Sequence, residues 1–487
     1  MSTTTRDDTT TTDTDASALA ASLPPIAPAA TPAMTQRRVL GLALPIIGEN
    51  ILQTAVGVVD TFFVAQLGAV AVAGVGVALE IVFFMIAILS SVAIGGTILV
   101  AQAIGAGRKE DADRRARQTV LWGFFLVVPI SVLVYAGAPV IVAAFRTEAD
   151  VAAEATTFLR VTGATSVALL MTFVCGAVLR GAGDSRSPLA ASLVANAVNV
   201  VLAWLLIFGN LGFPRLEVAG SAWASAIGRG VGAAILLWLL FSGRRAVSIR
   251  GRAGWRPRLP LARDLARLGV PAAIEQMVMT GGITVLVVIV ALIGTAALAA
   301  QQITFTALSL ALLPGMGFAT AATALVGQSI GAARPDAARA AARIATVWSV
   351  VWMTAGAVLY LVFAEAMMRV FTDNDAVVAQ GEGALWAMGI SLPLLAVSSV
   401  AGGALRGSGD TRTPMVTRSI STWLAVALAW VWVAWFDGSL TAVWLAFLAT
   451  APIATIGNSR AFTRRLRAAE RAHASDHPIE ESAAGSP

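Results

Sequence analysis

Charge is scarce in this chain: only 13% of its 487 residues are Asp, Glu, Lys or Arg, while 57% are hydrophobic. A water-soluble protein of this length would need far more charged surface, so that class is excluded. Cysteine is limited to Cys175, inside an apolar run, which rules out an internal disulfide and reads as a packed small side chain. Histidine is limited to His473 and His477, in the charged stretch that begins near Thr463, so no imidazole serves the apolar part. That part also lacks a metal cluster and a nucleophile paired with a base, and an enzyme is not expected. Gly95, Gly96, Gly105 and Gly107 have neither the Lys-Ser/Thr pair of a phosphate-binding loop nor an adjacent strand, so ATP and other cofactors are not expected.

What is present is a series of apolar stretches, each about twenty residues or longer, enough to cross about 30 Å of hydrocarbon. They lack the period-2 alternation of barrel strands, which leaves α-helices as the only way to satisfy the backbone in lipid. Spans are predicted near residues 38–66, 70–104, 115–143, 151–179, 187–209 and 217–241, then 262–293, 296–330, 341–368, 377–405, 413–436 and 440–462. The fold class is therefore all-α integral membrane, with twelve transmembrane helices and membrane lipid as its surroundings. Residues 1–33, rich in Thr, Asp, Ala and Pro, have no basic start followed by an apolar core. They read as a disordered cytoplasmic tail, not a signal peptide. The stretch from Ser242 to Pro260 is too basic and too broken by Gly and Pro to enter lipid, and is predicted to be a cytoplasmic linker. It separates a lobe at 34–241 from a lobe at 261–467, and 468–487 is predicted to be a second disordered tail.

A net charge of +6 could suggest nucleic acid, but the basic residues follow membrane topology. Arg6, Arg37, Arg38, the cluster from Arg108 to Arg117, Arg180, Arg186, the linker arginines, Arg334, Arg339, Arg343, Arg406, Arg412, Arg418 and the run from Arg460 to Arg471 fall on one side. Arg146, Arg215 and Arg369 fall on the other, and Arg160 and Arg229 lie within spans. The positive-inside rule then puts both termini in the cytoplasm of a multi-pass protein of the cytoplasmic membrane. No nucleic acid and no obligatory protein partner are expected.

The two sides of the linker repeat each other at an offset of 226 residues. Pro45 and Glu49 recur as Pro271 and Glu275, and Gly68 as Gly294. Thr97, Gln102, Gly105 and Arg108 recur as Thr323, Gln328, Gly331 and Arg334, and LRGAGDSRSP from Leu179 recurs as LRGSGDTRTP from Leu405. Six spans per copy make both halves enter from the same side, so the lobes form a parallel, pseudo-symmetric repeat. Two such bundles with a seam between them suit a transporter that exposes a central cavity alternately to each side.

With these motifs in view, the chain resembles the multidrug and toxic compound extrusion family, and within it the DinF-like branch, over about residues 38 to 462. The residues that carry the resemblance are PIIGENILQTAVGVVDTFFVAQLG, VAQAIGAGRKEDADRR with its copy VGQSIGAARPDAAR, the doubled LRGxGD(S/T)R(S/T)P, NAVN at Asn196 to Asn199, and VAGSAWAS. The resemblance implies export of small amphipathic drugs or metabolites, with a cationic compound as the expected substrate, driven by inward movement of H⁺ or Na⁺. It assigns the coupling role to Asp60. A lipid-linked saccharide flippase of the wider superfamily is the alternative.

Ionisable groups inside apolar helices cost about 2.5–3.5 kcal/mol at the helix centre, so each needs a reason. Asp60 lies about 9 Å from the outer end of the first span, within reach of external protons. Glu49 precedes it by eleven residues, which leaves the two about 20° apart around the helix, with Gln53 near the same line. That polar stripe points to a face lining a wet cavity. Asp60 has no counterpart in the second half, where Leu286 takes its place, and its alternative reading is a helix-to-helix hydrogen bond. Asn196 and Asn199, at i and i+3, either complete the Asp60 site or hydrogen-bond a neighbouring helix. Ala203 stands where the family commonly has an aspartate, so Asp60 has no acidic partner on that helix. Glu80 is predicted at mid-depth, as a substrate or proton contact or as a structural hydrogen-bonder. Glu49 and Glu275 either line the cavity or have a structural role, satisfying backbone freed by Pro45 and Pro271 or closing a cytoplasmic gate. Arg180 is expected to pair with Asp184, and Arg406 with Asp410. The family's Na⁺-type acidic positions fall near Met279 and Leu395, which favours H⁺. Met277, Met279, Met316, Phe305 and Phe318 either form an adaptable lining or fill ordinary helix packing.

Overall fold

The computed structural model describes residues 32 to 476 apart from 252, 253 and 437; of the tails expected at 1–33 and 468–487, residues 1–31 and 477–487 lie outside the described residues. Twelve helices long and apolar enough to span a bilayer follow one another. In the first half they are α1 Pro32–Ala65, α2 Ala69–Gly105, α3 Lys109–Ala143, α4 Ala149–Gly181, α5 Arg186–Phe208 and α6 Glu217–Ser242. In the second they are α7 Leu259–Ile293, α8 Thr295–Gly331, α9 Pro335–Arg369, α10 Asp375–Gly407, α11 Arg412–Trp435 and α12 Leu440–Asp476.

Several helices begin or end outside the predicted spans, for local reasons. Helix α3 starts at Lys109, not near 115, because Glu110 and Asp111 sit in its first turn, where the helix dipole favours acids. Asp111 also pairs with Arg115 one turn on at 2.9 Å. Helix α12 continues to Asp476, past residue 467, where a disordered tail was expected. The linker is not free chain: Gln118 of α3 donates to the carbonyls of Gly254 and Arg256 at 2.7 and 2.8 Å, and Asp113 accepts from the Ser248 amide at 2.7 Å. Gly68 and Gly294 take φ of 110° and 137° at the matching turns before α2 and α8, a region that L side chains rarely adopt.

Packing repeats as the sequence does. Helix α4 lies against α2, α3 and α6, and its counterpart α10 lies against α8, α9 and α12. The first helix of each half crosses to the other half. Helix α1 seats Val39, Leu42, Ala43 and Ile47 against Phe318, Ala321 and Leu325 of α8 and Ala341 of α9, while α7 seats Leu265 and Leu268 against Ile98 and Leu99 of α2. Where α2 meets α8, the Gln328 carbonyl occupies the space a Cβ on Gly105 would need, and the Gln102 carbonyl does the same at Gly331. Gln102 Nε2 donates to Gly407 O at 3.2 Å, and Gln328 Nε2 to Gly181 O at 2.9 Å, so the seam carries the same lock twice. All these contacts lie towards the arginine-rich end, which holds the turns after Gly105 and Gly331. Towards the other end α1 exposes Gln53, Val58, Thr61 and Phe62. The halves therefore meet at the arginine-rich end, and α1 is left open beyond it.

Candidate functional site

In the first half, Asp60 of α1 faces α6. Its Oδ2 accepts from the Ser225 hydroxyl at 3.3 Å and the Ser221 hydroxyl at 3.4 Å. Asn199 of α5, almost fully buried, donates through Nδ2 to Ser225 Oγ at 3.0 Å. A continuous chain thus runs from Asn199 through Ser225 to Asp60. Among the described residues three buried atoms have no partner: Asp60 Oδ1 and Asn199 Oδ1 at the ends of this chain, and Nδ2 of Asn196 one turn before Asn199 on α5. Arg229, one turn beyond Ser225, acts on Asp60 through its charge without forming a close ion pair. Helices α5 and α6 build this pocket because Asn196 and Asn199 share one face and Ser221, Ser225 and Arg229 share another at i, i+4 and i+8. The sequence reading named Asp60 and the two asparagines; it missed Ser221 and Ser225, whose i, i+4 spacing in VAGSAWAS was the available signal.

Towards the arginine-rich end, Glu49 and Glu275 are buried and occupy equivalent places. Arg180 donates to Glu49 at 3.1 Å, and Arg406 donates to Glu275 at 2.8 Å. The expected pairing of each arginine with the nearby aspartate is corrected. Asp184 instead accepts from the backbone and hydroxyl of Ser187, and Asp410 from those of Thr413, at the starts of α5 and α11. An aspartate just before a helix serves the free N-H groups there, whereas a buried glutamate needs a charge partner more. Gln53 and Glu80 are exposed, and neither makes a hydrogen bond or ion pair among the described residues.

The second half holds a cavity of about 430 Å³. Leu286, Phe305, Leu312, Trp444 and Phe447 form much of its apolar wall, with Ile94 and Thr97 of α2 closing the side towards the first half. Glu275, Arg406 and Arg418 supply its charged groups. Arg418 stands 3.9 Å from the Glu275 carboxylate, which Arg406 already engages. Sequence reasoning counted Arg418 only as a flanking positive charge; the structure turns it into the cavity. Met279, Met316 and Phe305 line the cavity as well, while Phe318 is buried against α1.

Two successive matches to the MatE family profile cover residues 45–205 and 271–431, displaced by the same 226 residues that relate the halves. The chain belongs to the MATE family. Among relatives, a probable multidrug resistance protein NorM of Thermotoga maritima is 30% identical over 420 residues, covering 85% of this chain and 89% of the relative. An uncharacterized transporter, YisQ of Bacillus subtilis, is 27% identical over 412 residues, covering 84% and 90%. A MOP superfamily transporter from Pyrococcus furiosus superposes with a TM-score of 0.84 at 21% identity, over 90% of this chain and 97% of that one. A structure described as the outward-facing conformation of a multidrug resistance MATE family transporter gives 0.83 at 22% identity, with the same coverage. At those identities the likeness establishes the fold. This MATE chain is thus a multi-pass efflux transporter in which the Asp60 pocket belongs to one half and the large cavity to the other.

Proposed function

We propose that this MATE transporter expels small amphipathic compounds across the cytoplasmic membrane in exchange for protons, with its arginine-rich end in the cytoplasm. The observation that carries the coupling role is the pair of buried, unpartnered acceptors, Asp60 Oδ1 and Asn199 Oδ1, in one pocket. A proton on Asp60 supplies the donor that this pocket lacks and removes a buried charge at the same time. A hard monovalent cation draws less support. The pocket's oxygens carry a single negative charge between them, that of Asp60, and the nearby positive charge of Arg229 opposes a second fixed cation. The close packing at Gly105 and Gly331, together with the exposed outer part of α1, supports access to Asp60 from the end opposite the arginine-rich one, the external side in this reading. Protonation then alters how α1 is held by α6, and α1 also packs on α8 and α9 of the other half, so the change reaches the seam. The name of the NorM relative refers to multidrug resistance, and the saccharide-flippase reading draws no comparable support.

The test is Asp60→Asn in inside-out membrane vesicles with an imposed pH gradient and a fluorescent amphipathic substrate. Gradient-driven movement should vanish while the protein level stays normal. Transport at the native rate by this variant would overturn the coupling role, and native transport driven only by a Na⁺ gradient would overturn the choice of proton.

A further inference from the structure

The repeat allows each lining residue of the second-half cavity to be set against its counterpart. Asp60 corresponds to Leu286, Ser221 to Phe447, Ser225 to Ala451 and Arg229 to Thr455, and all four replacements line the cavity. The place that holds a polar, acid-bearing pocket in the first half thus holds apolar wall in the second. At the charged end the difference runs the other way. Both halves have the glutamate-arginine pair, but Arg418 stands where the first half has Ser192. The cavity lining carries one carboxylate, that of Glu275, and two guanidinium groups. Glu275 is engaged by Arg406 at 2.8 Å, leaving Arg418 only a contact at 3.9 Å. Arg418 makes no hydrogen bond among the described residues, although its side chain is only 25% exposed and carries five donors. A partly buried guanidinium with free donors beside an apolar chamber is matched by a planar or tetrahedral anion on an apolar body. The volume, about 430 Å³, lies within the usual range for pockets that hold compounds of drug size.

We propose that this cavity binds small single-chain amphiphiles bearing one negative charge, with a carboxylate or sulfonate head on Arg418 and the apolar body against Leu286, Phe305, Trp444 and Phe447. The proposal rests on the exporter reading above and gives its substrate class, in place of the cationic compound expected from the family resemblance. Division of labour follows: the first half carries the coupling ion and the second the cargo.

The experiment uses the purified transporter in phosphatidylcholine nanodiscs, with no gradient. Two dansyl probes share one alkyl chain; one ends in a carboxylate and the other in a trimethylammonium group. The carboxylate probe should bind about tenfold more tightly or better, as expected for a desolvated charge-assisted contact. Arg418→Gln should abolish the preference, Arg418→Lys should keep most of it, and Leu286→Trp should weaken both probes by filling the chamber. Equal binding of the two probes by the native protein overturns the proposal. So does a preference that persists in Arg418→Gln with an unchanged unfolding temperature. Loss of probe binding in discs containing phosphatidylglycerol assigns the cavity to bilayer lipid and also overturns it. The probes report occupancy of the second-half cavity with no gradient imposed, whereas the Asp60 test reads gradient-driven movement, so a failure of either test leaves the other interpretable.

Discussion

The seam between the halves gives the sharpest test of alternating access, because two glycines carry it. Adding one methyl group in Gly331→Ala places a Cβ inside the Gln102 carbonyl, and backbone there cannot swing aside as a flexible side chain could. The two helices must part locally. Overpacking of this kind costs about 1–3 kcal/mol, and the displaced Gln102 also loses its hydrogen bond to Gly407 O, worth about 0.5–1.5 kcal/mol. Together they bias the seam by about 1.5–4.5 kcal/mol, which changes the ratio of closed to parted forms by about tenfold or more. Spin labels at Lys109→Cys and Ala332→Cys, both exposed and on opposite sides of the seam, report the distance by pulsed electron resonance; the buried Cys175 stays out of reach of the label. The native protein should give a short-distance population at this end, and Gly331→Ala a longer one. Gly105→Ala should do the same, since the crossing is reciprocal. Gly41→Ala is the control, because nothing lies within 4 Å of its added Cβ. Unchanged distances in both seam variants would refute the idea that backbone contact at this crossing holds the arginine-rich end shut.

Two further variants probe the buried polar groups. Glu49→Gln leaves Arg180 with its side chain 15% exposed and no carboxylate, so the protein should lose about 3–5 kcal/mol in denaturant unfolding, whereas Glu49→Leu combined with Arg180→Met should lose much less; equal losses would sink the ion-pair account. Ser225→Ala removes the link between Asn199 and Asp60 and should lower gradient-driven efflux by about tenfold, with Ser225→Thr restoring most of it and Ser221→Ala, whose contact is longer, costing less; native rates in both alanine variants would exclude the hydroxyl network from coupling.

Much of the scaffold was legible because membrane helices must be long and apolar and because the duplication holds one register. Thr97 donates to the Ala177 carbonyl and Thr323 to that of Gly403, a correspondence readable from the offset alone. Side-chain pairing was less legible. Arg180 and Asp184 are close in sequence, which suggested a local pair, but the arginine turns inward to a glutamate on another helix and the aspartate caps the next one. Helical periodicity placed Glu49, Gln53 and Asp60 on one stripe, yet each meets a different environment. Glu49 lies against α4, Gln53 is exposed, and Asp60 faces α6. A stripe specifies a direction around the helix, not which neighbour occupies it along its length. Arg418 was hidden for a related reason, since a basic residue near a helix end reads as an interfacial anchor until the packing shows which way it points.

The way the two halves diverge bears on how the transporter works. Residues that repeat are those that close the seam and support it: Gly105 with Gly331, Gln102 with Gln328, Thr97 with Thr323, and the pairs Glu49 with Arg180 and Glu275 with Arg406. A rocking motion needs both sides of the hinge alike, so a change in one copy alone would tilt the balance between its two states. Residues that differ surround the two chambers, where Asp60 faces Leu286 and Ser192 faces Arg418 across the repeat. Under the two proposals above, an ion at Asp60 and a compound at Arg418 would act on different parts of one shared seam. The ion and the compound then influence each other through the helices that meet across it, among them α1 against α8, α7 against α2 and α2 against α8. Coupling in this arrangement is a property of the crossing helices, and variants that loosen them should separate ion binding from cargo movement while leaving both sites intact.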